Sequence, residues 1–165
     1  MLKPQPCPHC GRAGTLNRHS RLSGNAPDEA AGRRLRGQRV FCSNRGVRGG
    51  CGRTFSLFLA DVLPRHSVPT VLLTRLLVGL LGGASLKAAA ESLRAPFAVE
   101  TFYRLARRLR HRLDPVRVRL CGHAPPPACA HSDPLLQTIA HLLQTAGAAD
   151  FVATFQYRFQ HPFLG

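Results

Sequence analysis

Cys7-Pro8-His9-Cys10-Gly11, answered much later in the chain by Cys42 and then Cys51-Gly52, is the stretch on which the fold turns. Each of the two clusters ends in Cys-Gly. Two thiolates on a tight turn, with backbone amides pointing at sulfur, make one half of a tetrahedral metal site, and a glycine after the second cysteine tolerates the backbone angles that turn requires. Two such knuckles at the ends of a β-hairpin converge on one ion. Zn²⁺ suits the set because it binds thiolates strongly and imposes no geometry of its own. Cys7, Cys10, Cys42 and Cys51 are therefore the predicted ligands of a structural zinc ion. The second pair departs from the usual spacing, with eight residues between Cys42 and Cys51 where two to four is normal. Three glycines in that insertion would let it loop out, and His9 or His19 is an alternative ligand. A redox Cys-x-x-Cys pair lacks a surrounding strand-helix pattern. Buried unligated thiols would need apolar neighbours, where these have Pro, Gly and Arg. A relic that no longer binds metal is the remaining alternative.

Working outward, residues 15–22 and 34–41 read as strands, and the intervening loop carries Gly24, Asn25, Pro27 and Gly32. Residues 1–57 thus form a zinc ribbon. Residues 66–113 read as three helices. The first spans 69–81, with Pro69 at its start and Gly82-Gly83 at its end. The second, 86–93, has Ser85 as N-cap and small residues Ala88, Ala89 and Ala90. The third runs from Val99 to about Leu113, where Asp114-Pro115 stops it. Residues 114–133, with Pro125-Pro126-Pro127, read as a Pro-rich linker. Residues 134–165 read as a helical tail whose phenylalanines pack on the middle helices or on a partner. The fold class is small α+β: a zinc ribbon, a three-helix helix-turn-helix domain and a short helical tail.

Charge points to the partner. The 165 residues hold 23 Lys plus Arg against 8 Asp plus Glu, a formal net charge of +15 with a pI near 11.4. A GC-rich genome would explain arginine over lysine but not the shortage of acids. The excess lies in the first two thirds of the chain, and duplex nucleic acid is the commonest polyanion to answer it. The third helix sharpens this. Phe102, Leu105, Ala106 and Leu109 form an apolar stripe, and basic side chains surround it. A short helix of small residues, a turn and an arginine-lined helix make the helix-turn-helix pattern. Thr101 and Arg104, near the helix start, are the candidates for base contact. Arg107, Arg108 and Arg112 are candidates for phosphate, joined by Arg45, Arg48 and Arg53 of the ribbon.

Met1 leads into Lys3, Pro4 and a cysteine pair rather than an apolar leader, and the apolar stretch 68–84 is interrupted by Arg75 and too short to span a bilayer. These features predict a cytoplasmic protein, nucleoid-associated if bacterial or nuclear in a eukaryote, with no membrane partner and reduced cysteines. Cys121-Gly122-His123 and Cys129-Ala130-His131 form a second cluster, which reads as linker without a ligand.

The run Phe41-Cys42-Ser43-Asn44-Arg45-Gly46, followed by Gly50-Cys51-Gly52-Arg53-Thr54-Phe55-Ser56, resembles the zinc ribbon of bacterial insertion-sequence transposases, which ends in a similar Cys-x-Arg-Thr-Phe signature. Val99-Glu100-Thr101-Phe102-Tyr103-Arg104 resembles the start of the recognition helix that follows it. The resemblance covers about residues 5–113 and implies binding of element ends or an operator. Such transposases continue into a ribonuclease-H-like domain with three metal-binding carboxylates. Here only Asp114, Asp133 and Asp150 follow the third helix, so strand transfer is not expected, and the implied partners are double-stranded DNA and a separate transposase subunit, or a second copy through the tail. The competing readings are a zinc-ribbon adaptor for another protein, an RNA binder and a transposase remnant without function. No Ser-His-Asp set, nucleotide loop or paired-carboxylate motif argues for an enzyme.

Overall fold

The computed structural model describes residues 4–26, 32–45, 47 and 49–164. Among them, three antiparallel strands are followed by six helices, a small α+β chain that divides into two compact units, Met1–Leu59 and Ala60–Gly165.

The first unit is a three-stranded sheet in the order β1 (Leu16–Asn25), β2 (Arg33–Cys42), β3 (Thr54–Phe58). Leu16 pairs with Cys42, and Val40 with Phe55. This register places Leu16, Val40 and Cys42 on one face with Cys7, a very small core against which Phe55 packs. Register shifts at Arg18/Ser20 and Leu22/Ser23 twist the hairpin. Gly37 has no room for a side chain, since a Cβ there would lie 2.0 Å from the Leu57 carbonyl oxygen. β3 was not expected as a strand. Its Thr-Phe-Ser run follows the last cysteine so closely that it reads as the end of a motif, yet β2 offers a free edge for it.

The second unit is helical: α1 (Thr70–Leu81), α2 (Leu86–Ser92), α3 (Val99–Arg110), α4 (Leu113–Cys121), α5 (Pro134–Ala146) and α6 (Phe151–Phe159). Ser85 caps α2 by accepting from the Ala88 amide, as its position predicts. Ala89 packs where α1 crosses closely, 3.2 Å from the space a Cβ on Gly79 would occupy. The expected stripe of α3, Phe102, Leu105, Ala106 and Leu109, is buried.

The structure differs from the sequence reading after α3. The third helix ends at Arg110, and the predicted linker 114–133 begins with a helix, α4. Asp114-Pro115 opens α4 instead of closing α3. Proline forbids the interior of a helix, but in the first turn its missing amide is one that would lack a partner anyway, and an acid there complements the helix dipole. Irregular chain follows from residue 125 to 132.

The tail completes the core of this unit. Phe151, Phe155, Phe163 and Leu164 are buried with Leu73, Leu76, Leu105 and Leu109. Asp150 ties α6 to α1 by accepting from the hydroxyls of Thr70 (2.7 Å) and Thr74 (2.9 Å) while capping its own helix through the Ala153 amide. Gln156 donates to the carbonyls of Ala60 and Val62 and accepts from the Phe163 amide, closing both ends of the unit around α6. No helix among the described residues is long and apolar enough to cross a membrane.

Candidate functional site

The four predicted ligand cysteines meet. Their sulfurs all lie within 4.8 Å of one another, with Cys7 and Cys51 3.9 Å apart and Cys10 and Cys42 3.8 Å apart. A tetrahedral ion about 2.3 Å from each sulfur has edges of about 3.8 Å, so the donor set has the size and chemistry of a four-thiolate metal site. His9 is not one of the set; its ring packs edge-on against Phe55, with centroids 5.8 Å apart. His19 sits beside Ser20 in exposed chain.

The widened second knuckle resolves into the same turn as the first. In the first, the Cys7 amide donates to the Arg12 carbonyl and the Gly11 amide to the Cys7 carbonyl, at 3.0 and 2.8 Å. In the second, the Cys42 amide donates to the Arg53 carbonyl and the Gly52 amide to the Cys42 carbonyl, at 2.9 and 3.0 Å. Gly11 and Gly52 share a φ of +72°. Cys42-Ser43-Gly50-Cys51-Gly52-Arg53 therefore does what Cys7-Pro8-His9-Cys10-Gly11-Arg12 does, and the described residues between Ser43 and Gly50 lie outside that turn, in a loop. The Gly50 amide pinches the neck of that loop by donating to the Ser43 carbonyl (2.9 Å), and Arg12 holds the loop by donating from Nη1 to the Gly49 carbonyl (2.6 Å). Gly50 must be glycine: a Cβ would lie 2.2 Å from the Ser43 oxygen and 2.6 Å from the Cys42 sulfur.

Backbone donors point at sulfur. The His9 amide is 3.4 Å from Cys7 Sγ, and the Cys51 amide is 3.3 Å from Cys42 Sγ. Buried Thr15 lies with Oγ1 3.2 Å from Cys42 Sγ. Through that hydroxyl, helped by the Cys51 amide, the Cys42 thiol is lowered to about 6 despite its burial. Cys51 moves the other way, to about 11: the Arg53 amide pulls it down, but burial and three neighbouring thiols prevail. Four crowded thiols cannot all ionise without a cation to offset the charge. Thr15 and Arg12 escaped the sequence reading, because nothing in their spacing marks them as partners of the knuckles, whereas Gly50 is one of the three glycines expected to let the insertion loop out.

The predicted basic residues fall into two groups, one in each unit. In the helical unit, Arg104, Arg107, Arg108 and Arg112 come together with His111 and Leu164 around an open concavity of about 450 Å³. None of the described residues that line it carries a carboxylate. Arg108 Nη1 is 2.9 Å from His66 Nε2, which steadies it. Arg110, one residue from this cluster in sequence, turns to the other side and forms a two-pronged pair with Asp133 at 3.2 and 3.0 Å. Thr101 stands half-buried in the first turn of α3 and does not line the concavity. In the ribbon, Arg45 and Arg53 are exposed at the second knuckle, and Arg48 lies outside the described residues. Among the described residues of the first unit there is no Asp or Glu. A comparison with known protein families, with curated proteins and with solved structures finds no match to this chain.

Proposed function

We propose that this chain is a zinc-ribbon protein that binds duplex DNA through the arginine face of α3, without catalysing strand transfer itself. The observation that carries the reading is the concavity formed by Arg104, Arg107, Arg108, His111 and Arg112, with no Asp or Glu among its described lining residues. Cationic side chains gathered with no acid between them repel one another unless an anion is supplied, and a sugar-phosphate backbone supplies a row of them. Guanidinium groups suit this because their fork matches phosphate and guanine edges. In this reading α2, the turn at 93–98 and α3 form the helix-turn-helix, Thr101 and Arg104 face bases, and Arg107, Arg108 and Arg112 hold phosphates. The ribbon, with no Asp or Glu among its described residues, adds a second cationic surface through Arg45 and Arg53, with Arg48 as a further candidate. Its four sulfurs favour Zn²⁺ over harder ions, which prefer oxygen.

The sequence resemblance to the front of insertion-sequence transposases supports element ends or an operator as the target. It also supports a separate transposase subunit as a second partner. Gel-shift titration with the full chain tests the DNA reading. Arg104→Ala combined with Arg108→Ala should weaken binding by about tenfold or more while the fold is unchanged, at the ~1–3 kcal/mol expected of each good contact. Unaltered affinity would refute it.

One observation favours a second reading, a protein-interaction adaptor. Leu35, Leu57, Phe58 and Leu59 are exposed together on the ribbon sheet beside Arg18 and Arg21, around a concavity of about 500 Å³. Apolar surface of that kind marks contact with another protein. Salt dependence separates the two, since binding that falls steeply with salt is the mark of counterion release from DNA.

A further inference from the structure

The second cysteine cluster, expected to be inert linker, is rearranged by the fold. Cys121 ends α4 and Cys129 lies in the irregular chain after the three prolines, yet both line one cavity of about 220 Å³. The histidines adjacent to them in sequence are not their companions there. His123 is taken by Arg158, 3.0 Å from its Nε2, and packs edge-on against Phe159. The histidine on the cavity wall is His141, from α5.

His141 is only 3 % exposed, and its Nε2 is buried without a hydrogen-bond partner. The Ala124 backbone is hydrogen-bonded to the ring, and Nε2 is the ring nitrogen left without a partner. A neutral ring that donates through Nδ1 carries its lone pair on Nε2. A buried polar atom left in this way costs stability, and a histidine fixed through Nδ1 to a carbonyl is the arrangement that metal-binding imidazoles use. The other polar groups on the wall leave it unanswered. Thr138 spends its hydroxyl on the Pro134 carbonyl, Gln137 donates to the His131 carbonyl, and Arg117, though a donor, makes no bond to Nε2.

We infer that Cys121, Cys129 and His141 form a second site for a thiophilic divalent cation of the zinc class, separate from the ribbon. Two thiolates and one neutral imidazole neutralise such an ion and leave one position for water. Among the described residues only the ribbon sulfurs are drawn within 4.8 Å of one another beforehand, so this site is completed by the ion. Segment 122–131, without regular structure over most of its length, closes Cys129 onto the fixed pair provided by α4 and α5. The inference does not depend on DNA binding.

The test uses the full chain stripped of metal and titrated with Co²⁺, then Zn²⁺, with bound metal counted by mass spectrometry. The wild type should take up about two equivalents. Cys121→Ser/Cys129→Ser should lose one and keep the four-thiolate cobalt spectrum of the ribbon, and Cys7→Ser/Cys10→Ser should lose the other. The ring ¹⁵N signal of His141 should shift on filling of the second equivalent. Saturation at one equivalent, or an unchanged count and His141 signal in Cys121→Ser/Cys129→Ser, overturns the assignment; circular dichroism of that variant confirms that the helices persist.

Discussion

The metal site depends on residues that carry no ligand atom. Gly50 lets the Ser43 carbonyl lie close behind Cys42, and Thr15 Oγ1 accepts from the same sulfur. Gly50→Ala and Thr15→Val should each lower metal affinity by about tenfold or more, the usual cost of disturbing the partners that orient ligands, as read by competition with a chromophoric chelator. Asp133 is a second case. It caps α5 through the Leu135 amide and accepts both prongs of Arg110, which hold its carboxyl below the usual 3.8. Asp133→Ala should cost about 1 kcal/mol, the typical value of an N-cap, measured by urea unfolding. Because the folded carboxyl is the stronger acid, its contribution is complete above the ordinary value and is lost as pH falls from near 4 through the depressed one. The difference between wild type and variant should therefore shrink in acid. None of these partnerships shows in a linear reading. Thr15 stands 27 positions from Cys42, and only the β1–β2 register makes them neighbours.

Elements differ in how much their own sequence declared them. α1, α2 and α5 carry recognisable starts in Pro69, Ser85 and Asp133-Pro134, and their apolar residues recur at helical spacing. β3 and α4 were hidden. A five-residue strand has too few alternations to betray itself, and a proline in a first turn looks like one that ends a helix. α6 shows what such elements contribute. It is short, and its anchor is Asp150, which spans from Thr70 and Thr74 of α1 to its own N-terminus. Asp150→Ala should cost about 3 kcal/mol, since it strands two buried hydroxyls, and thermal unfolding of the helical unit should reveal it. A fall of less than a few degrees would mean that packing of Phe151 and Phe155 alone holds the helix.

At the scale of the whole chain, two units rest on two kinds of stabilisation. Among the described residues, the apolar cluster of the first unit is Cys7, Leu16, Val40 and Cys42 with Phe55 against them, too little to fold well without a metal to join the four sulfurs. The helical unit buries an extensive apolar core of its own. Chelation should abolish the strand signals while the helical circular dichroism persists; loss of both together would tie the units into one cooperative whole. The net charge of +15 belongs to this scale too. If duplex DNA is the ligand, the logarithm of the affinity should fall linearly with the logarithm of salt concentration, with a shallower slope in Arg107→Ala/Arg112→Ala. The amino-acid sequence by itself marked out the four cysteines that cluster, the strand pair, the periodic helices and the positive charge, because each rests on residue type and on local motifs and spacing. Tertiary structure alone decided that Arg12 reaches across to the second knuckle, that Arg110 departs from the arginine cluster for Asp133, and that Cys121 and Cys129 line a cavity with His141 rather than with the histidines beside them. Those outcomes depend on which distant segments pack together, and a contact between distant segments leaves no periodic trace along the chain.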